Sequence, residues 1–247
     1  METSNQKPSS TESRIIVAFD VSNYAAAIQL ARRMDPKQYR AAKVGKELFT
    51  AAGPGVVEDL IKAGIDVFLD LKFHDIPNTV AGAVRAACGL GVWMMNVHAL
   101  GGKEMLEAAA NELAKMPVDK RPLGVGVTLL TSMGQAGMDQ VGLNGDPAAC
   151  VLRLAGLVRT SGLDGVVCSS QEALLLRNDM GKDFVLVTPG IRLPDGKKND
   201  QERVGTPEFA IESGAHYLVI GRPVTQAESP NDVLLDINRR VASVQKQ

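Results

Sequence analysis

Short apolar or β-branched runs recur along the chain at intervals of about 20 to 40 residues, each followed by an Ala/Leu-rich stretch with helical spacing. Eight such runs stand out: Ile15 to Phe19, Ala41 to Val44, Val67 to Leu71, Trp93 to Val97, Leu123 to Leu129, Gly165 to Val167, Phe184 to Val187 and Tyr217 to Ile220. The periodic stretches between them include Tyr24 to Met34, Gly55 to Ala63, Thr79 to Cys88, Lys103 to Lys115, Pro147 to Thr160 and Pro207 to Ser213. Ala63-Gly64-Ile65-Asp66, Ser161-Gly162-Leu163-Asp164 and Ser213-Gly214-Ala215-His216 put glycine where a helix must stop before the next strand. The order reads as strand then helix, eight times over. That predicts an α/β chain folded as a (β/α)8 TIM barrel, since a doubly wound open sheet usually has fewer repeats.

No linker or composition break divides the repeats, so residues 14–247 are expected to form a single domain. Residues 1–13, METSNQKPSSTES, are polar throughout and are expected to be a disordered tail rather than a signal peptide. Two stretches exceed ordinary loop length, Thr131 to Asp146 after the fifth strand and Ile191 to Gly205 after the seventh, and both are lid candidates.

Charge narrows the partners. The 247 residues carry 27 Lys+Arg against 28 Asp+Glu, a net charge of -1, with no block of five like charges. A nucleic acid or a membrane surface is therefore not the expected partner, and no run of 18 apolar residues offers a membrane span. The three cysteines, Cys88, Cys150 and Cys168, lie far apart and form no metal spacing, which fits a reducing, cytoplasmic setting.

In such a barrel the active site is built at the carboxyl ends of the strands, and here polar groups gather at those ends. Asp20 follows the first strand, Lys43 lies in the second, Asp70 and Lys72 end the third, and Asn96 with His98 end the fourth. Thr131 follows the fifth, Ser169 the sixth, Thr188-Pro189-Gly190 the seventh and Gly221-Arg222 the eighth. The densest group is Asp70-Leu71-Lys72-Phe73-His74-Asp75, a D-x-K-x-x-D. Alternation along a strand turns Asp70 and Lys72 to one face and Leu71 to the other. Asp75 falls at the turn beyond, and Pro77 suits the first position of the next helix. Alone, a D-x-K is equally compatible with a structural salt bridge, and Asp75 with a helix cap. With Lys43 and Asp20 converging on it, a purely structural role would leave four charges gathered at a cost and without a purpose.

After strands seven and eight, Thr188-Pro189-Gly190-Ile191-Arg192 and Ile220-Gly221-Arg222-Pro223 expose backbone amides beside an arginine, the arrangement with which barrels bind phosphate. Tight turning alone would also account for Gly190 and Gly221. Gly101-Gly102 is a competing cradle with no arginine beside it, and reads as a turn. His74 and His98 read as structural hydrogen-bonding residues, Lys197-Lys198 as solvated charge and Cys168 as core. A Mg²⁺ site at Asp70 and Asp75 is disfavoured because Lys72 already supplies positive charge between them.

Leu69-Asp70-Leu71-Lys72-Phe73-His74-Asp75-Ile76-Pro77-Asn78-Thr79 resembles the signature of the orotidine 5'-phosphate decarboxylases. Val17-Ala18-Phe19-Asp20, Lys43-Val44-Gly45-Lys46-Glu47, Val127 to Met133, Leu186 to Arg192 and Val219 to Thr225 agree with that family in order and spacing, so the resemblance runs from about Arg14 to about Val241. The chain is shorter than a fusion with an orotate phosphoribosyltransferase, and is expected to be the monofunctional bacterial form.

The resemblance implies decarboxylation of orotidine 5'-phosphate to UMP and CO2, by a homodimer without metal or organic cofactor. It implies Lys72 as the proton donor to C6, flanked by Asp70 and by Asp75 from the partner subunit, with Lys43 in the charged network. Asp20 would contact the ribose, Ile76 and Thr79 would enter the partner's site, and Thr131 would meet the pyrimidine. Pro189, Arg192, Gln201, Gly221 and Arg222 would serve the phosphate and its lid. Three rivals stay open: a metal-dependent hexulose-phosphate synthase or pentulose-phosphate epimerase type of barrel, which shares D-x-K-x-x-D, a Schiff-base lysine enzyme, and a catalytically silent UMP-binding barrel.

Overall fold

A computed structural model of the chain describes residues 12–193 and 205–244. Eight parallel strands close into a barrel in sequence order: β1 (Ile15–Ala18), β2 (Ala41–Gly45), β3 (Val67–Phe73), β4 (Met94–His98), β5 (Leu123–Val127), β6 (Gly165–Val167), β7 (Val185–Thr188) and β8 (Tyr217–Ile220), with β8 pairing back onto β1. The helices around them are α1 (Tyr24–Arg32), α2 (Lys46–Ala52), α3 (Gly55–Lys62), α4 (Pro77–Gly89), α5 (Gly102–Ala114), α6 (Gln135–Gln140), α7 (Pro147–Thr160), α8 (Ser170–Met180), α9 (Pro207–Glu212), α10 (Arg222–Thr225) and α11 (Pro230–Val244). The TIM barrel predicted from the repeat is therefore the fold.

Both faces of every strand are covered, and alternate residues divide between two cores. Ile16, Phe68, Met94, Val125, Val187 and Tyr217 fill the barrel interior. Ile15, Val17, Val44, Leu69, Met95 and Leu186 face the helices and join the larger outer core. Parallel strands buried on two sides need apolar residues at odd and even positions alike, which is why they appear in the sequence as unbroken runs. The interior is tight. A Cβ at Gly165 would lie 2.0 Å from the Val185 carbonyl oxygen, so only glycine lets β6 approach β7 here.

The amino-terminal end of the barrel is plugged by residues from three strand starts. The Trp93 and Tyr217 rings meet edge to face with centroids 5.0 Å apart, and the Arg40 guanidinium lies 4.3 Å from the Trp93 ring centre. Ser13 Oγ donates to the Gln38 carbonyl (3.0 Å) and contacts Asn238 Oδ1 (2.9 Å), tying the chain ahead of β1 to α11. The polar cavity of the barrel lies at the opposite, carboxyl ends of the strands.

Among the described residues, five helices, α2, α6, α8, α10 and α11, fall outside the periodic stretches named from the sequence. At the start of α8, Glu172 Oε2 accepts the Ser169 N–H at 2.8 Å, and α11 buries Leu234, Ile237 and Val241 on one face. The Thr131 to Asp146 stretch carries α6 rather than running as an open loop.

Candidate active site

One cavity of about 460 Å³ at the carboxyl ends of the strands brings together Asp20, Lys43, Asp70, Lys72, Thr131, Pro189, Arg192, Gly221 and Arg222. Its size lies within the roughly 300–1,000 Å³ of small-molecule sites. Chemistry changes around the ring: β1 to β3 supply charge, Val127 and Val167 of β5 and β6 supply an apolar wall, and the turns after β7 and β8 supply glycines and arginines. Phe68 and Val219 also line it.

The charged side is a chain of alternating sign. Lys43 Nζ donates to Asp20 Oδ1 at 2.8 Å and lies 3.5 Å from Asp70 Oδ2, and Lys72 Nζ donates to Asp70 Oδ1 at 2.6 Å. The two inner members are nearly closed off, with 10% of the Lys43 side chain and 13% of Asp70 exposed, whereas Asp20 is 62% exposed at the rim. Burial pulls the Lys43 ammonium toward neutrality, but the carboxylates of Asp70 and Asp20 outweigh it and leave its pKa raised. Lys43 is therefore a fixed cation.

Alternation correctly turned Asp70 and Lys72 into the cavity and Leu71 toward the outer core. The strand does not end regularly, however. Lys72 has φ 53, the one non-glycine with positive φ among the described residues, a conformation costing about 1–2 kcal/mol. Its backbone N–H is held by Asn96 Oδ1 at 2.7 Å.

Asp75, Ile76 and Thr79 do not line this cavity. Asp75 is exposed, its Oδ1 accepts the Ile76 N–H at 2.7 Å, and Ile76 is 66% exposed. Asp75 is not the helix cap allowed by the sequence, because the residue preceding α4 is Ile76 and no side chain caps that helix. Pro77 does open α4 as expected.

Across the mouth, Gly190 has φ 79, in the region that favours glycine. Ile191 pairs with Gly205, the Gly205 N–H donates to Gly190 O (3.3 Å) and the Arg192 N–H to Gly205 O (3.0 Å), so the neck of the 191–205 loop is held together. Gln201 lies outside the described residues. Arg222 opens α10, and Thr225 and Gln226 at its end also line the cavity, a contribution no sequence signal had marked. The Gly101-Gly102 alternative is absent from the cavity, and a Cβ at Gly101 would strike Met105 Sδ at 2.1 Å, so close packing explains that glycine.

His74 and His98 stack with ring centroids 5.2 Å apart. Burial, then the nearby His74, Lys72 and Lys46, push the His98 imidazole down to about 4, and its Nδ1 accepts the Leu100 N–H at 3.4 Å. Cys168 is buried in the outer core, as expected. Among the described residues, no three His, Cys, Asp or Glu side chains group where they could hold a metal ion, and no helix is long and apolar enough to cross a membrane.

Residues 13–237 match the family model described as Orotidine 5'-phosphate decarboxylase / HUMPS family. The chain is 54% identical over 229 residues to an orotidine 5'-phosphate decarboxylase of Marinomonas sp., covering 93% of this chain and 97% of the relative. It is also 54% identical over 231 residues to the enzyme of that name from Nitrosospira multiformis, covering 94% and 95%. Among solved structures, the orotidine 5'-phosphate decarboxylase of Lactobacillus acidophilus superposes with a TM-score of 0.83 at 36% identity, covering 93% of this chain and 99% of that one.

Proposed function

Because this chain belongs to the orotidine 5'-phosphate decarboxylase / HUMPS family, we propose that the cavity orients orotidine 5'-phosphate with its C6 carboxylate toward Lys72 and its phosphate toward Arg192 and Arg222. The protein is a carboxy-lyase that converts orotidine 5'-phosphate to UMP and CO2 in pyrimidine biosynthesis. Lys72 is the group on which the proposed mechanism turns, and its 2.6 Å contact with Asp70 inside the cavity is the observation that carries it.

Cleavage of the C6–carboxylate bond releases CO2 and leaves the electron pair on a ring carbon with no carbonyl placed as an ordinary electron sink. A fixed ammonium beside that carbon stabilises the charge directly. The same ammonium then gives its proton to C6, forming the C–H bond of UMP, and solvent restores the lysine. Asp70 keeps the ammonium aimed. Lys43 ties Asp70 to Asp20, and the exposed Asp20 carboxylate suits a ribose hydroxyl. The apolar wall takes the pyrimidine, with Thr131 at its edge.

The Gly221 amide and the two arginines grip the phosphate, with Pro189 shaping the turn, and the family resemblance assigns Gln201 to the same group. The working unit is a cytoplasmic homodimer that needs no cofactor. Asp75, Ile76 and Thr79 enter the partner's site, a reading supported by their exposure outside their own cavity.

The test follows the ultraviolet absorbance of orotidine 5'-phosphate in EDTA. The wild-type chain should consume it, and Lys72→Ala should not, while still binding UMP. Loss of wild-type turnover on chelation would favour the metal-dependent rival, UMP binding without turnover the silent barrel, and near-normal turnover by Lys72→Ala would refute the mechanism. Trapping of substrate by borohydride would favour a Schiff base at Lys72.

A further inference from the structure

The tip of β3 is irregular at the residue on which the chemistry depends. Pairing with β4 runs Phe68↔Met94 and Leu69↔Met95, then resumes only at Phe73↔Val97, so β3 spends extra residues where β4 advances by two. Lys72 lies in that insertion with its backbone in the left-handed region. Asn96, between the two paired stretches of β4, faces the irregularity and is 1% exposed. Its Oδ1 accepts the Lys72 N–H at 2.7 Å, and its Nδ2 donates to Asp70 Oδ1 at 2.6 Å. That same carboxylate oxygen receives Lys72 Nζ at 2.6 Å.

We propose that Asn96 is a positioning residue that sets where the Lys72 ammonium stands, by clamping the Lys72 backbone and the Asp70 carboxylate with the two ends of one amide. A primary amide supplies an acceptor and a donor on one carbon, and both contacts here use that pair. Leucine or valine at 96 would leave the Lys72 N–H and one lone pair of Asp70 without Asn96, and the strand tip would be free to move. The inference rests on the proposed role of Lys72. The titratable groups around the amide are Asp70 and Lys72 from β3, Lys43 from β2 beyond Asp70, and His98 on the same strand, while the β5 neighbour in register is Val125.

The experiment compares Asn96→Ala and Asn96→Asp with the wild-type protein, following kcat for orotidine 5'-phosphate, Kd for UMP and the pH dependence of both. Asn96→Ala should lower kcat by about 100-fold, the scale of an ångström's misplacement, with UMP affinity changed less than about threefold. In Asn96→Asp the new carboxyl meets the Asp70 carboxylate and can restore both contacts only while it holds a proton. Its kcat relative to wild type should rise as pH is lowered, whereas the ratio for Asn96→Ala should stay flat. Wild-type kcat in Asn96→Ala, equal losses of kcat and UMP affinity, a flat ratio in Asn96→Asp, or failure of both variants to fold would each overturn the proposal. An active Asn96→Ala beside a dead Lys72→Ala would sink this inference alone, while an active Lys72→Ala would sink the reading beneath it.

Discussion

The proposed division of one active site between two chains can be tested by mixing two variants, each expected to be inactive alone. Asp70 lines the cavity of its own barrel and bonds Lys72 there, whereas Asp75 stands outside that cavity with its carboxylate on the neighbouring Ile76 N–H. If Asp75 serves the partner's cavity, a dimer of one Asp70→Ala chain and one Asp75→Ala chain holds one site lacking both carboxylates and one site lacking neither. Free exchange of equal amounts makes about half of the dimers mixed, and half of the sites in those are intact, so activity should recover to about one quarter of wild type per chain. The assay is the decay of orotidine 5'-phosphate absorbance after exchange in mild urea, with mixed dimers counted by native mass spectrometry. Recovered rate should track that count. A mixture of Lys72→Ala with Asp70→Ala is the control: both residues belong to the same chain's cavity, so neither site of a mixed dimer is complete and no activity should return. Counted mixed dimers of the first pair without recovery would show that Asp75 does not act across the interface.

Two further perturbations probe other parts of the site. Arg222 is exposed at the mouth, so Arg222→Ala should weaken UMP by about 2 kcal/mol, near 30-fold, as for one charge-assisted hydrogen bond, and leave uridine binding unchanged; equal losses for both ligands would contradict a phosphate grip. His98 is held at about 4, so as pH falls below about 6.5 the unfolded chain takes up a proton that the folded chain refuses until about 4. Folding stability should therefore drop through that window and level off below it. The full shift corresponds to about 3 kcal/mol, cut to about 1–2 kcal/mol by solvent reaching this half-buried ring. His98→Gln should lose that much less stability between pH 7 and pH 4.5 in urea titrations, and an identical loss in both proteins would refute the burial argument.

What could be read in the sequence was what depends on period and spacing. The strands were legible because a parallel barrel demands apolar residues on both faces, and the Asp70–Lys72 pair because two residues separate side chains on one strand face. Lys43 was legible because its strand neighbours theirs. The α8 start carries a readable local signal, Ser169-x-x-Glu172 just before the helix. The role of Asn96 had no such signal. It depends on a register shift between β3 and β4, and a shift is a property of two strands together. The Arg40, Trp93 and Tyr217 plug and the His74–His98 stack were hidden for the same reason, since each joins residues far apart in sequence.

The charged chain is hard to explain as a device for stability. Buried ion pairs often match or fall below apolar packing of equal volume, and this barrel fills the rest of its interior with Ile16, Phe68, Met94 and Val125. Within one chain Asp20, Lys43, Asp70 and Lys72 alternate and their formal charges cancel. On the proposed reading, a partner's Asp75 then adds one negative charge near the carboxylate to be expelled. One such repulsion at 4 Å and an effective dielectric of 20 amounts to about 4 kcal/mol, against the roughly 8–23 kcal/mol by which enzymes lower barriers. Repulsion alone is too small. The remainder must come from interactions that strengthen as charge moves onto C6, which requires a cation aimed at that carbon before the bond breaks. A left-handed lysine backbone clamped by a buried amide is a costly structure that such aiming would justify, and a salt bridge serving only the fold would not need it.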